Sequence, residues 1–317
     1  MTERSKVLLV FLDGVGLGDD DAERNAFVAA ELPTFRRLLG DGAVVRASAG
    51  LERERASLVA LDATLGVDGL PQSGTGQTAL FTGEDAVRRF GRHFGPWVPT
   101  TLRPLLMERS ILALAKAAGR RVAFANAYPE EVVEAGRAAM AGDGRLPPFM
   151  RAGPPLAALG AGVLTRHTAE LERGDAIASE ITNDGWREHL RRTTVPIRSP
   201  AEVGALLARI ADAHDLTLFA HYATDYAGHA ADLAAAVLAL ERVDAFLGGL
   251  VDALPPDVLL IVASDHGNIE DTAAGHTRNP ALGLVVGVEH AEVARGLQTI
   301  MDVAPAVLRR LGVWPNL

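Results

Sequence analysis

Asp265 and His266 are a carboxylate and an imidazole side by side, and they are the residues of this chain that most directly indicate a chemical function. They come directly after the apolar residues 259–263, and His276 lies ten residues further on in a polar loop that contains glycine. Carboxylate and imidazole groups held close together are suitable ligands for a divalent metal ion. A lone Asp-His pair after a strand is also common in capped turns, so the interpretation depends on partners elsewhere in the chain.

Asp225 and His229 form a second pair of the same kind. They follow the apolar residues 216–220 and stand four positions apart. At this spacing the two side chains share one face of a helix, if a helix has begun there. The alternative is an ion pair on a helix surface, which is frequent at the same spacing.

Asp13 follows the apolar residues 7–12 and begins a stretch rich in glycine. Its glycines have the spacing G-x-G-x-G and no helical apolar pattern follows at once, which argues against a dinucleotide-binding loop. Asp13 is then a further carboxylate at the end of a strand. The glycines would let the backbone come close to a ligand.

Ser73 lies in a polar turn, residues 71–76, ahead of a helical pattern at 77–81. Ser73 would then lie at or near a helix start, where free N–H groups and the helix dipole favour a developing negative charge. A phosphate-binding P-loop is excluded because Thr75 stands where the lysine is required. An ordinary helix cap is the other interpretation of Ser73.

Apolar runs that are long enough for buried strands precede Asp13, Asp225 and Asp265, and we expect all four groups, Ser73 included, at strand ends, where open α/β sheets place their chemistry. We also predict a strand at 43–49, a helix beginning at Pro33, and a last helix at 303–311 capped by Asp302. Between about residues 84 and 200 arginine and proline become frequent and buried-strand runs nearly disappear. This middle part is predicted to be an inserted second domain.

The composition of the 317-residue chain narrows the class of protein. It has no cysteine, which excludes disulfides and thiolate sites. It carries a net charge of −9 without a long basic run, so we expect no nucleic-acid partner. No apolar run reaches membrane-spanning length, so we expect no membrane association. The N-terminal stretch predicts a first strand and not a signal peptide, so a cytoplasmic location is expected.

Taken together, the polar strings resemble those of the alkaline phosphatase superfamily, in the branch of cofactor-independent phosphoglycerate mutase and phosphopentomutase. The resemblance implies an α/β three-layer sandwich, with helices on both faces of a mostly parallel sheet, and an inserted α+β cap domain. The metal-binding core would comprise residues 1–84 and 200–317, and the cap residues 85–199. The similar strings are Leu12-Asp13-Gly14, Gln72-Ser73-Gly74-Thr75-Gly76-Gln77, Asp225-Tyr226-Ala227-Gly228-His229, Ser264-Asp265-His266-Gly267-Asn268 and Gly275-His276-Thr277-Arg278-Asn279-Pro280.

The resemblance also implies roles for these residues. Ser73 would be the metal-coordinated nucleophile, and the chain would be a two-metal phosphotransfer enzyme that uses Mn²⁺ or Zn²⁺ and a phosphoserine intermediate. We expect a phosphohydrolase acting on a small phosphomonoester, with a phosphomutase as the alternative. The sequence leaves the substrate and the oligomeric state open. One metal would be held by Asp13, Asp265 and His266, and the other by Asp225, His229 and His276.

Two positions depart from the family pattern. Gly74 and Gln77 stand where the phosphoglycerate mutases have an acidic residue and a histidine, and the phosphopentomutases also have histidine at the second position. A substrate different from that of either kind of mutase is therefore expected. Basic residues near the nucleophile helix and beside His276 are candidates for holding the non-reacting part of the substrate. Surface exposure or ion pairing is the other explanation for them. These candidates are Arg88, Arg89, Arg92, His93 and Arg278.

Overall fold

A six-stranded sheet forms the centre of the computed structural model, which describes residues 5–313. The strand order is β2-β6-β5-β1-β4-β3, and among the described strands β6 alone runs against the others. The α/β class and a mostly parallel sheet are therefore confirmed. The strands are β1 Lys6–Leu12, β2 Ala56–Leu61, β3 Val122–Phe124, β4 Leu216–His221, β5 Val258–Ala263 and β6 Ala281–Val286.

Helices cover both faces of the sheet. They are α1 Ala26–Ala29, α2 Pro33–Leu39, α3 Ser73–Thr82, α4 Ala86–Phe90, α5 Arg103–Arg109, α6 Ile111–Ala117, α7 Glu130–Met140, α8 Gly153–Gly160, α9 Thr168–Arg173, α10 Asp184–Glu188, α11 Pro200–Asp212, α12 Ala223–His229, α13 Leu233–Ala253, α14 His290–Arg295 and α15 Val303–Arg310.

The alternating side chains of β1 show why three layers form. Val7, Leu9 and Phe11 join the core under α3, α5, α6, α8 and α15, whereas Leu8 and Val10 join the core under α2, α11 and α13. Successive side chains of a strand point to opposite faces, so a continuous apolar strand needs cover on both sides. The predicted sandwich follows from this requirement.

The three central strands bring the polar strings to one edge. Strand β1 lies between β5 and β4 and is parallel to both, with Leu12 opposite His221 and Phe11 opposite Ala263. Because parallel strands in register end at the same level, the residues that follow them meet above the sheet. The position of Asp13 beside the start of α12 and beside Asp265 is thus set by the pairing.

Two local predictions were wrong. Residues 43–49 contain a short 3₁₀ turn instead of a strand, and the edge strand is β2, further along the chain. Asp302 does not cap α15, because its carboxylate accepts hydrogen bonds from the backbone N–H groups of Gln298 and Thr299 in the preceding turn. At residues 43–49 a local turn replaces the expected strand, whereas α15 forms as expected with Asp302 at its N-cap position but without a side-chain cap.

Residues 85–199, the predicted cap, are not shown as a separate domain. Strand β3 lies within them and pairs with β4. Asn126 extends this pairing, since its side-chain amide donates to the carbonyl of Ala220 at 2.7 Å and accepts from the N–H of Ala220 at 2.8 Å. Helices α5, α6 and α8 contribute side chains to the same core as α3 and α15. The boundary at residue 85 and the closing role of this region stay predictions.

Among the described helices, none combines the length and apolar character that crossing a bilayer would need.

Candidate metal centre and active site

Ser73 and His266 face each other above the carboxyl ends of the central strands. Ser73 is the first residue of α3, and its Oγ lies 2.9 Å from Nε2 of His266. The same Nε2 is 3.4 Å from Oδ1 of Asp13 and 3.7 Å from Oδ2 of Asp265. Asp265 and His266 are fully buried, and Asp13 and Ser73 nearly so. A hydroxyl, an imidazole and two carboxylates therefore converge on one point.

Asp225, His229 and His276 form a second cluster beside the first. His229 Nε2 lies 3.4 Å from Asp225 Oδ2, and His276 Nε2 lies 3.7 Å from Asp225 Oδ1. Asp225 and His229 share one face of α12, as their spacing predicted. His276 is oriented by its Nδ1, which donates to the carbonyl of Pro71 at 2.8 Å. This hydrogen bond leaves Nε2 free to point at the cluster.

The two clusters are continuous. The rings of His266 and His276 stack with centroids 4.0 Å apart, and Asp225 belongs with both groups of donor atoms that lie within 4.8 Å of one another. One group contains Asp225, His229 and His276, and the other Asp13, Asp225 and His266. All seven predicted residues thus lie together. The sequence assigns Asp265, and not Asp225, to the metal held by Asp13 and His266, and this assignment stays a prediction.

Gly14 explains how Asp225 reaches the first cluster. It has a positive φ of 67°, and a Cβ at this position would collide with the side chain of Asp225. Only glycine combines this backbone conformation with so close an approach. The glycine-rich stretch after β1 therefore makes room for a carboxylate.

The buried carboxylates strongly perturb the titration of this centre. Burial and the negative charge of neighbouring carboxylates raise the pKa of both Asp13 and Asp265. Burial opposes a charged imidazole, yet the negative charges of Asp265 and Asp13 raise the pKa of His266 to about 10. Burial and the charge of His266 lower the pKa of His276 to about 4. The centre holds more negative charge than its protein surroundings neutralise.

A divalent metal ion would compensate the excess negative charge of these residues. Oδ1 of Asp13 and Oδ2 of Asp265 are buried without a hydrogen-bond partner. Within residues 5–313 no lysine or arginine pairs with Asp13, Asp225 or Asp265. Buried carboxylate oxygens need a cation or a donor, and oxygen and imidazole nitrogen atoms are the donors that Zn²⁺ and Mn²⁺ accept. The donor set is thus appropriate for a metal centre.

Glu270 organises the centre and was not predicted. It is 1 % exposed, and its Oε2 accepts from the N–H groups of Gly16 and Asn268 at 2.9 and 2.7 Å. Its Oε1 accepts from the hydroxyl of Thr277 at 2.5 Å and from the side-chain amide of Asn279 at 3.1 Å. One carboxylate therefore ties together the three loops that carry Asp13, Asp265-His266 and His276. Its position between two ligand strings is the only signal in the sequence.

Asn268 and Gln77 orient two of the carboxylates. The Asn268 amide donates to Oδ1 of Asp225 at 2.7 Å. The Gln77 amide donates to Oδ2 of Asp13 at 3.0 Å, while its Oε1 accepts from the N–H of Gly153 at 2.8 Å. Residues that hold a ligand in this way fix its orientation and tune its affinity for metal. Gln77, noted as a departure from the mutases, thus links the centre to α8.

Gly74, the other departure, leaves no room for a side chain. A Cβ there would collide with the carbonyl oxygen of Trp97, and it would lie 2.7 Å from that of Phe94. The backbone segment 94–97 therefore packs directly on the start of α3. The acidic residue that the family pattern places here has no space in this chain.

The predicted substrate-binding residues have partners other than Ser73 and the predicted metal ligands. Arg88 pairs with Asp85 at 2.9 Å, Arg89 is exposed, and Arg92 lies over the ring of Phe90. Nε2 of His93 lies 3.3 Å from the carbonyl of Val67, and Arg278 is 3.8 Å from Asp68. Within the described residues, none of the five forms a hydrogen bond or an ion pair with Ser73 or a predicted metal ligand. Their role in substrate binding stays a prediction.

Comparison with solved structures identifies the fold. The chain superimposes on the alkaline phosphatase of the Antarctic bacterium TAB5 with a TM-score of 0.52 and 12 % identity, covering 98 % of both chains. At this identity the likeness concerns the fold alone. It identifies an α/β fold like that of alkaline phosphatase, and the donor set that suits a metal ion is the one described above.

Sequence comparison adds the family. Residues 194–315 match the Metalloenzyme superfamily. The chain is 36 % identical over 129 residues to the 2,3-bisphosphoglycerate-independent phosphoglycerate mutase of Desulforudis audaxviator, which is 37 % of this chain and 25 % of that protein. The homologous mutase of Syntrophotalea carbinolica is 33 % identical over 124 residues, or 36 % and 24 % of the two chains. The chain spans about a quarter of these relatives.

Residues 194–315 thus belong to the metalloenzyme, or alkaline phosphatase, superfamily, and the chain is distantly similar to cofactor-independent phosphoglycerate mutase. The family predicted from the polar strings is thereby confirmed.

Proposed function

We propose that the protein is a two-metal phosphotransfer enzyme that acts on a small phosphomonoester through a phosphorylated Ser73. The observation that carries the proposal is the approach of Ser73 Oγ to His266 Nε2, at 2.9 Å, inside a cluster of buried carboxylates and histidines. A hydroxyl in such surroundings, at the start of a helix, is in the right place to attack phosphorus.

The chain's own residues have separable tasks in this reaction. Ser73 Oγ forms the bond to phosphorus and loses its proton, while the ester bond breaks and the leaving oxygen takes up a proton. Backbone N–H groups at the start of α3 face the incoming negative charge. Two divalent ions, held by Asp13, Asp265 and His266 and by Asp225, His229 and His276, would supply Lewis acidity and charge compensation. Glu270, Asn268 and Gln77 hold the donors in place.

The second half of the reaction returns the phosphoryl group from Ser73 to an acceptor oxygen. The names of the relatives favour a second hydroxyl as acceptor, which makes the enzyme a phosphomutase. The phosphohydrolase expected from the sequence becomes the second candidate. Gly74 favours it, because no acidic side chain can stand there as the family pattern has it in the phosphoglycerate mutases.

The test is to follow phosphate release and isomerised products from Mn²⁺- or Zn²⁺-loaded protein, with a panel of phosphomonoesters. We expect isomerisation without phosphate release for the mutase, and phosphate release for the second candidate. Ser73→Ala is expected to reduce turnover by roughly a thousandfold or more and to abolish covalent labelling, while both metals stay bound.

Ser199→Ala is the matched control, because Ser199 is an exposed serine that caps the start of α11. It should label and turn over as the parent protein does. Undiminished turnover by Ser73→Ala would disprove the phosphoserine route.

A further inference from the structure

A cavity of about 340 Å³ lies between α12 and residues of the middle region. This volume falls within the range of about 300 to 1,000 Å³ that small-molecule sites occupy. Residues 97, 127–132, 149–152 and 179–190 supply most of its lining, and α12 supplies the rest. The site described above does not use any of these side chains.

Three connections place the cavity next to the proposed reaction centre. Ala223 and Tyr226 of α12, and Tyr222 directly before it, line the cavity, and the same helix carries Asp225 and His229. Trp97 lines it and has its carbonyl against Gly74, the neighbour of the nucleophile. Ala152 lines it and precedes Gly153, whose N–H binds Gln77. The cavity therefore adjoins both ends of the centre.

The lining is unusually aromatic. All three tyrosines of the chain, Tyr128, Tyr222 and Tyr226, line it, together with Trp97 and Trp186 of the three tryptophans. Aromatic residues make up only 5 % of the chain, so this concentration is not what an ordinary core would use. Tyrosine and tryptophan provide large, rigid contact surfaces, and they bind flat rings by stacking or edge contacts.

The charge of the lining is equally specific. No lysine or arginine occurs among these lining residues, all of which lie in the described part of the chain, and Glu180 supplies a carboxyl group. Recognition of a carboxylate or a second phosphate ordinarily uses arginine or lysine. A glycerate group would find no lysine or arginine here, only the imidazole of His189, and would face Glu180.

We propose that this cavity binds the non-phosphate part of the substrate and selects an uncharged aromatic ring over a carboxylate-bearing group. The inference rests on the proposed function for the reacting end, where the phosphoryl group meets Ser73. It deepens that function by giving the substrate class: an aryl-bearing phosphomonoester.

Phosphonates test the ring preference without turnover. Trp97 and Trp186 line the cavity, so their fluorescence should report its occupancy. With Mn²⁺-loaded protein we expect phenylphosphonate to bind about tenfold or more tightly than methylphosphonate, and 2-carboxyethylphosphonate to bind no better than methylphosphonate. Equal affinities for the phenyl and methyl compounds, or the tightest binding for the carboxyethyl compound, would overturn the inference.

A charge introduced at the rim gives a second, independent test. Leu190 lines the cavity and is 43 % exposed, so Leu190→Arg should fold. It should shift the ratio of carboxyethyl to phenyl affinity by about tenfold towards the carboxylate. Leu238→Arg is the control, because Leu238 is 65 % exposed on α13 and is not part of the lining. An unchanged ratio in Leu190→Arg would contradict the proposal.

Covalent labelling of Ser73 separates the two proposals. If phenyl phosphate labels Ser73 and 3-phosphoglycerate does so poorly, both are supported. If 3-phosphoglycerate labels it as readily as phenyl phosphate, the ring preference falls and the phosphotransfer function stands. If no phosphomonoester labels Ser73 while the phosphonates still rank by their ring, the phosphotransfer function falls and the ring preference survives as ligand selectivity.

Discussion

The metal centre and the aromatic cavity adjoin each other but are encoded in different ways. Five of the six predicted aspartate and histidine ligands lie within residues 194–315, in three short polar strings, and this is the part that matches the family. Most of the cavity lining comes from scattered single residues of the middle region. Metal ligands must be particular residue types directly after strands, whereas a binding surface can be assembled from apolar side chains that resemble core.

This contrast assigns different aspects of function to the two regions. In the function proposed above the polar strings carry the reaction type, and in the further proposal the cavity carries the choice of substrate. Gly74 and Gln77 lie where the regions meet, and both depart from the mutase pattern. We therefore expect the residues that select the substrate to differ between this chain and its relatives mainly in the cavity.

The largest expected effect is the loss of metal from the centre. Asp265→Asn and His276→Ala each remove a donor from the buried cluster, so we expect lower metal content and turnover reduced by roughly a thousandfold. Elemental analysis of the purified proteins measures the first quantity. His214→Ala is the control, since His214 lies at the end of α11 and is bonded to the carbonyl of Ile210. A metal-to-protein ratio equal to that of the parent would refute the ligand assignment.

A second prediction concerns how firmly the middle region is joined to the sheet. Asn126→Ala removes two buried hydrogen bonds between β3 and β4, which should lower the free energy of unfolding by about 2 to 3 kcal/mol. Because this region shares its core with α3 and α15, we expect a single cooperative transition in denaturant. Two separate transitions, with only one of them shifted, would instead establish an independent cap domain.

The smallest effect is expected at Glu270, which positions ligands without binding metal itself. Glu270→Gln keeps the size of the side chain but replaces one accepting oxygen by a donor amide. The loops that carry the ligands should loosen, and metal affinity should fall by about ten- to a hundredfold. Glu292→Gln, on the surface of α14, is the control. Isothermal titration with Mn²⁺ compares the metal affinities of the two variants. Identical affinities would show that Glu270 does not position the ligands.

Glu270 and the sheet register show where prediction from the sequence ended. The strands around Asp13, Asp225 and Asp265 could be predicted because each is a continuous apolar run. The turn at residues 43–49 could not, since its short apolar pattern fits several conformations. Glu270 has no periodicity to reveal it, because its importance comes from donors on three loops far apart in the sequence.

The sequence by itself determined the superfamily and predicted the donor types and the nucleophile, because metal chemistry accepts few residue types and most of these follow strands whose apolar character is local. Only the tertiary structure decided that Asp225 belongs to both donor groups, that segment 94–97 fills the space beside Gly74, and that five tyrosines and tryptophans surround one cavity. These features depend on distances between residues remote in the chain. Strand pairing and packing fix such distances, and no local pattern records them.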